Sequence, residues 1–162
     1  MRCAHGAKPS KRARCVDRAG ILGPVRRAYE SERDREREQV VARAVFEPLG
    51  LVVAKLPMAY EVDFAVMRGE RVVGVAEVKV RSRAYETVLV SLHKVQALRR
   101  AAQMGLRAWL LVAVPAGVYA HRVAPAGALD VRWGGRADRG DWQDMEPVVH
   151  VPFAGMTRVA EC

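Results

Sequence analysis

Apolar positions at helical spacing predict two helices. Charged residues from Glu30 to Glu38 lead into an apolar stripe, and Pro48 and Gly50 end it, which predicts a first helix beginning at Tyr29. Its stripe consists of Val40, Val41, Ala44 and Val45. The second helix is predicted from Ser91 to Met104, with Ser91 as N-cap and Gly105 as the C-terminal stop. Its predicted buried stripe consists of Leu92, Val95, Leu98 and Ala102.

Alternating or continuous apolar runs predict strands between and after these helices. In chain order they are Leu51–Ala54, Tyr60–Met67, Arg71–Val80, Arg107–Val114, Val118–Val123 and a last short strand, Val148–Pro152. The run at Arg107–Val114 is nearly all apolar, as in a central strand covered on both faces. Residues 125–147 are predicted to form a long polar loop. The main order, α-β-β-β-α-β-β, predicts an α/β or α+β domain with a mixed sheet.

Positive charge is concentrated at the N-terminal end of the 162-residue chain, whose net charge is +9. Residues 1–27 hold eight Lys or Arg residues against the single acid Asp17, a net charge of +7, and they show no apolar period. We therefore expect a flexible basic arm over 1–27 and one domain over 28–162. The arm is interpreted either as a polyanion contact or as a solubilising tail.

Composition excludes several other classes of protein. The sequence has no run of eighteen apolar residues and no apolar region behind its charged N-terminal residues. We therefore expect no signal peptide and a cytoplasmic protein without a membrane partner. Three cysteines without framework spacing argue against disulfide stabilisation.

The segment from Tyr60 to Val80 carries the candidate chemistry. A hairpin with a three-residue loop over 69–71 would make one face of the two strands wholly apolar. In that register Asp63 lies directly opposite Glu77, with Cβ atoms roughly 4.5–5.5 Å apart. Lys79 lies on the same face, opposite Glu61.

Two carboxylates at that separation repel each other unless a proton or a cation lies between them. Hard oxygen ligands in such a pair suit Mg²⁺ or Mn²⁺, and a neighbouring lysine can stabilise charge on a phosphate. The combination indicates phosphodiester cleavage. The alternative is a solvated sheet face with an incidental ion pair between Glu61 and Lys79.

Asp63, followed after the hairpin by Glu77-Val78-Lys79, resembles the D…(D/E)-X-K motif of the PD-(D/E)XK nuclease superfamily. That superfamily includes restriction endonucleases, Holliday-junction resolvases and phage nucleases. The resemblance implies a restriction-endonuclease-like core in which Asp63, Glu77 and the carbonyl of Val78 bind the metal ion. It also implies that Lys79 orients the attacking water. The residue before Asp63 is Val62, where the family motif has a variable proline.

The resemblance also implies contributions from both helices. Glu38 continues the apolar face of the first helix, so we expect it to join the metal site as a catalytic and ligating residue, with a simple ion pair as the alternative. Lys94, one of only five lysines against 22 arginines, is the expected contribution of the second helix, with Gln96 as an alternative and a solvated role also open. His93 is interpreted as a surface residue.

These observations predict a Mg²⁺-dependent endodeoxyribonuclease of phage type, in a bacterial or phage-infected cell. DNA would contact both the basic arm and the active-site cleft. Cutting both strands with one centre per chain would favour a homodimer. A catalytically inactive protein of the same fold, binding nucleic acid or serving as a virion component, is the alternative from another functional class. A small regulatory protein that pairs through its charged helix is less favoured, because the apolar period does not continue as heptads.

Overall fold

The computed structural model describes residues 31–135 and 145–161. Helix α1 spans Glu32–Phe46 and begins with a capping box, in which the Ser31 hydroxyl and the Asp34 carboxylate each accept a bond from the other residue's backbone amide. Helix α2 spans Leu92–Gln103. Ser91 is its N-cap residue as predicted, but the serine side chain makes no bond to the helix backbone.

In the described part of the chain, nine strands form two sheets. The strands are β1 (Val52–Lys55), β2 (Phe64–Arg68), β3 (Arg71–Val80), β4 (Thr87–Ser91), β5 (Arg107–Val114), β6 (Gly117–Arg122), β7 (Val131–Gly135), β8 (Met145–Pro152) and β9 (Thr157–Ala160). The larger sheet has the order β1-β2-β3-β5-β6-β9, and the smaller has the order β4-β8-β7. Strands β3 and β5 are parallel, whereas all other pairs are antiparallel. The predicted mixed sheet is confirmed.

The two faces of the larger sheet are covered by different elements. Alternate residues of β3 and β5 pack under α1 with Val41, Ala42 and Phe46. The intervening residues pack under α2 and the smaller sheet, so β5 is covered on both faces as its apolar sequence predicted. The predicted apolar stripe of α1 was wrong at Val40 and Ala44, which are exposed. The buried face of the helix includes Ala42 and Phe46 instead.

The predicted hairpin register is correct only in its middle. Phe64 pairs with Ala76 and Val66 with Gly74, as predicted. A bulge follows Val66, so Arg68 pairs with Arg71 around a two-residue turn rather than the predicted three-residue loop. The predicted strand was also wrong over 60–63, because residues 58–60 form a 3₁₀ helix and Glu61 has a positive φ of 60°. Asp63 and Glu77 are therefore not ladder partners.

Other differences lie in the second half of the chain. Strand β4 was not predicted, because its short alternating sequence runs directly into α2. The predicted loop over 125–147 contains the exposed edge strand β7 and the start of β8. Strand β9, at the edge of the larger sheet beside β6, was also missed. No helix in the described ranges is long and apolar enough to cross a membrane.

Candidate active site

Asp63 immediately precedes β2, at a point where the adjacent strand β3 extends beyond the end of β2. The Asp63 carbonyl accepts a hydrogen bond from the Leu56 amide at 2.8 Å, which fixes the backbone. Its Oδ2 accepts a hydrogen bond from the Val78 amide at 2.8 Å. The Asp63 carboxylate thus pairs with the β3 backbone at a position where β2 does not extend.

Among the described residues, Glu77 is the one charged residue that is buried, with 0% of its surface exposed. Its Oε1 accepts hydrogen bonds from Lys79 Nζ at 2.7 Å and Lys94 Nζ at 2.6 Å. Its Oε2 is buried and has no hydrogen-bond partner among the described residues. A buried carboxylate oxygen without a protein partner is available to a water molecule or a cation.

Helix α2 brings Lys94 to both acids. Lys94 Nζ lies 3.3 Å from Asp63 Oδ1 and 2.6 Å from Glu77 Oε1. Asp63 and Glu77 are therefore neighbours, although they are not ladder partners. Gln96, the alternative on this helix, is exposed and is hydrogen-bonded to neither acid.

The structure adds Lys55, which sequence analysis did not single out. Lys55, on β1, lies 2.7 Å from Glu38 Oε2 and 3.7 Å from Asp63 Oδ1. Glu38 is thus linked to Asp63 through this lysine. The scarcity of lysine was the available signal, because all three lysines in the described ranges (Lys55, Lys79 and Lys94) belong to this group. We call Glu38, Asp63, Glu77 and these three lysines the site cluster.

Burial and charge act in opposition within the site cluster. Burial favours a higher pKa for Asp63, but Lys94, the Val78 amide and Lys55 outweigh it and hold that pKa below its usual range. Burial raises the pKa of Glu77, where the lysines oppose the shift and the charge of Asp63 adds to it. Burial favours a lower pKa for Lys94, but contact with Glu77 and Asp63 raises it. Asp63 and Lys94 are therefore held in their charged forms.

Three members of the site cluster, Glu38, Lys79 and Lys94, line a groove of about 1150 Å³ between α1, β3 and the smaller sheet. Arg37, Arg81 and Arg83 line the groove together with Lys79 and Lys94. The Arg83 guanidinium lies over the ring of the exposed Tyr85, with 4.9 Å between the guanidinium carbon and the ring centroid. Four acids also line it, so the groove combines cations and an aromatic ring with carboxylates: Asp34, Glu38, Glu86 and Glu146.

His93 is fixed in this groove rather than free on the surface. Ser91 Oγ donates to Glu146 Oε2 at 2.6 Å and lies 2.6 Å from His93 Nδ1. Because the serine proton is given to Glu146, Nδ1 of His93 must be the donor in its bond to Ser91. This explains why the Ser91 side chain does not cap α2.

Comparison with protein families matches residues 24–159 to the family described as "Phage putative PDDEXK endonuclease". The chain belongs to this family. The superfamily resemblance carried by Asp63, Glu77 and Lys79 is thereby confirmed. Among curated proteins, no match was found.

A similar solved structure supports the fold of this PDDEXK family member. It is the Holliday junction resolvase Hjc of Archaeoglobus fulgidus, an archaeal hyperthermophile, with a TM-score of 0.51 and 14% sequence identity. The match covers 76% of this chain and 90% of the resolvase. The predicted restriction-endonuclease-like α/β fold is confirmed.

The donor set of this PDDEXK chain is compatible with a divalent cation. In the described ranges, no three His, Cys, Asp or Glu side chains form a group that could hold a metal ion. Asp63 and Glu77 nevertheless supply two neighbouring carboxylates, one of them with an unpartnered buried oxygen. Hard oxygen donors of this kind suit Mg²⁺ or Mn²⁺, which complete their coordination with water and substrate oxygens.

Proposed function

We propose that the protein is a metal-dependent endonuclease that hydrolyses DNA phosphodiester bonds. The observation that carries the proposal is the buried Glu77 beside the charged Asp63, with Glu77 Oε2 unpartnered among the described residues. Lys79 and Lys94, which contact Glu77, line the adjoining groove. A binding protein gains nothing from buried carboxylates next to phosphate, because they repel it. A cation-dependent hydrolase requires them.

In this proposal Asp63, Glu77, the Val78 carbonyl and Glu38 hold Mg²⁺ or Mn²⁺. When bound, such an ion supplies a water activated at neutral pH and neutralises charge on the phosphate. The Val78 carbonyl is included because a strand residue directs its N–H and C=O to the same edge, and the Val78 N–H meets Asp63. Glu38 contributes once Lys55, its present partner, shares it with the ion.

The lysines act on the substrate side. Lys79, 2.7 Å from Glu77 and lining the groove, positions the attacking water and stabilises negative charge that develops on the phosphate. Lys94 has the same charge and faces the same groove, so it is the second catalytic cation. Both lysines contact carboxylates through compact ammonium groups, which act as point charges.

DNA is the proposed partner, in the groove and along the basic arm. Residues 1–27, outside the described residues, concentrate positive charge and would add affinity without sequence specificity. A homodimer would supply two centres for a duplex. We propose a cytoplasmic location in a bacterial or phage-infected cell.

The test is cleavage of duplex, nicked, branched and single-stranded DNA with Mg²⁺, Mn²⁺ or Ca²⁺. We expect at least one substrate to be cut with Mg²⁺ or Mn²⁺ but not with Ca²⁺. Lys79→Ala should retain metal binding and lose cleavage, whereas Asp63→Asn should weaken both. Arg158→Ala is the control, because Arg158 lies outside the groove and its contact is with Glu161. Absence of cleavage on every substrate would favour the inactive nucleic-acid-binding or virion alternative.

The arm has a separate test, the salt dependence of DNA binding in Ca²⁺. If four to six of its eight basic residues contact phosphates, removing residues 1–27 should flatten the slope of log K against log salt by about 4–5. An unchanged slope would mean that the arm does not contact DNA.

A further inference from the structure

Lys94 occupies a special position in the site cluster, because its ammonium contacts both acids. It lies 2.6 Å from Glu77 Oε1 and 3.3 Å from Asp63 Oδ1. Of the other two lysines, Lys79 contacts Glu77, and Lys55 contacts Asp63 and Glu38. Lys94 therefore bridges the acid pair, which is where a cation between them would act.

The formal charges of the site cluster balance without any added ion. Its three carboxylates face three ammonium groups, and each acid has at least one lysine within 2.6–3.3 Å. A divalent cation held by Asp63 and Glu77 would need Asp63 Oδ1, which Lys94 now contacts, because Asp63 Oδ2 is bonded to the Val78 amide. Even with Glu77 Oε2 as its other ligand, the cation would lie beside the Lys94 ammonium. Two cations competing for the same carboxylate oxygens repel each other strongly in a poorly solvated site.

We propose that Lys94 is an internal counter-ion, which a divalent cation displaces from Asp63 and Glu77 and which then binds the incoming phosphodiester. The proposal rests on the nuclease function proposed above. Lys94 can make this exchange because its four-carbon stem is flexible and a quarter of its side chain is exposed in the groove. Metal ion and nucleic acid then bind with positive coupling, since the phosphate receives the ammonium that the metal releases.

The competing description makes Lys94 a fixed support that keeps Asp63 and Glu77 in place. The two descriptions predict opposite signs for one measurement, the affinity of the free protein for Mn²⁺. We would measure it by electron paramagnetic resonance of unbound Mn²⁺ on the full-length protein without nucleic acid. The variant is Lys94→Met, which removes the charge and retains most of the side chain.

Displacement predicts that Lys94→Met binds Mn²⁺ at least about tenfold more tightly than wild type, which corresponds to about 1.4 kcal/mol. Equal or weaker binding would overturn the proposal. The control is Arg100→Met, which removes one positive charge from the same helix, where Arg100 contacts Glu61 instead of the acid pair. We expect less than a twofold change for this control.

A second measurement needs no variant, so it remains decisive if Lys94→Met fails to fold. In wild type, the Ca²⁺ affinity should rise at least about tenfold in the presence of saturating duplex DNA, and DNA affinity should rise equally with Ca²⁺. Independent binding would overturn the proposal. A protein that shows tighter Mn²⁺ binding in Lys94→Met but cuts no DNA would overturn the nuclease function and leave the displacement standing. A protein that cuts DNA but shows neither tighter Mn²⁺ binding in Lys94→Met nor coupled Ca²⁺ and DNA binding would overturn the displacement. The nuclease function would then stand.

Discussion

The two halves of β3 differ in how they are bonded and in what they bury. From Gly74 to Ala76 the strand is paired on both sides, with β2 and β5, and its buried residues are apolar. From Glu77 to Val80 the pairing with β5 continues, but β2 is absent and the Asp63 side chain takes its place. The apolar core and the candidate site thus meet at two consecutive residues of the same strand, Ala76 and Glu77.

The comparison shows how a buried charge can be accommodated. A sheet interior offers backbone partners but no counter-ions, so a carboxylate there has nothing to pair with. At the end of β2, side chains from β1, β3 and α2 can converge, and three of them are lysines. The site therefore depends on where a neighbouring strand begins as much as on the motif residues.

The largest effect is expected from moving a carboxylate one position toward the core. Ala76, with 0% exposure, packs under α1 between apolar neighbours. Ala76→Asp should destabilise the fold by more than about 3 kcal/mol, because the charge would be buried without a partner. Urea denaturation measures this, and Val72→Asp, at a 40% exposed position of the same strand, should cost about 1 kcal/mol or less. Similar costs at both positions would contradict the distinction between core and site.

Glu77→Gln should have a large effect on cleavage and a small one on stability. Loss of this charge should slow single-turnover cleavage by about 10²–10³-fold, as for other groups that stabilise transition-state charge. The free energy of unfolding should change by about 1 kcal/mol or less, because removing a buried charge offsets the lost lysine contacts. A severe loss of stability with normal cleavage would indicate a structural role for Glu77.

Gly74→Ala tests the close packing of the paired half. A Cβ at Gly74 would overlap the Trp109 ring and lie 2.5 Å from the Arg107 carbonyl oxygen. Overpacking of this kind should cost about 1–3 kcal/mol of unfolding free energy, measured in urea. Gly155→Ala, where no atom lies within 4 Å of the new Cβ, is the matched control and should be nearly neutral.

The smallest effect concerns the bond that replaces β2. Asp63→Ala leaves the Val78 amide without its acceptor, whereas Asp63→Asn keeps an oxygen in place. The alanine variant should therefore be less stable than the asparagine variant by about 1 kcal/mol. Amide hydrogen exchange at Val78 should be faster in Asp63→Ala alone. Equal exchange in both variants would mean that this bond contributes little.

Element boundaries were predicted most accurately where one hydrophobic pattern dominated the sequence. The boundaries of β3 and β5 agree with the prediction, because long apolar runs leave little choice of element. The start of β2 was wrong because alternation continues through residues 60–63, while the backbone turns at Glu61. That turn directs Glu61 to Arg100 on α2 rather than to Lys79, a contact 39 residues away in sequence that no local pattern contains.

The site cluster was partly predictable for the same reason. Asp63, Glu77 and Lys79 follow from a short motif near one hairpin, and the structure brings them together. Lys94 was expected through a family resemblance and the scarcity of lysine, whereas Lys55 was missed. The contacts of both lysines depend on the placement of a distant element. Glu38 was expected from its position on α1, but its actual partner is Lys55.

The use of lysine for every cation of the site cluster has a practical consequence. The chain has 22 arginines, yet primary amines in the described ranges occur only at Lys55, Lys79 and Lys94. An acylating reagent specific for amines would therefore report on this one location within 31–135 and 145–161, read out by peptide mass spectrometry. The rate of labelling at each lysine would follow its release from a carboxylate, so occupancy of the groove could be recorded residue by residue without a substrate being cut.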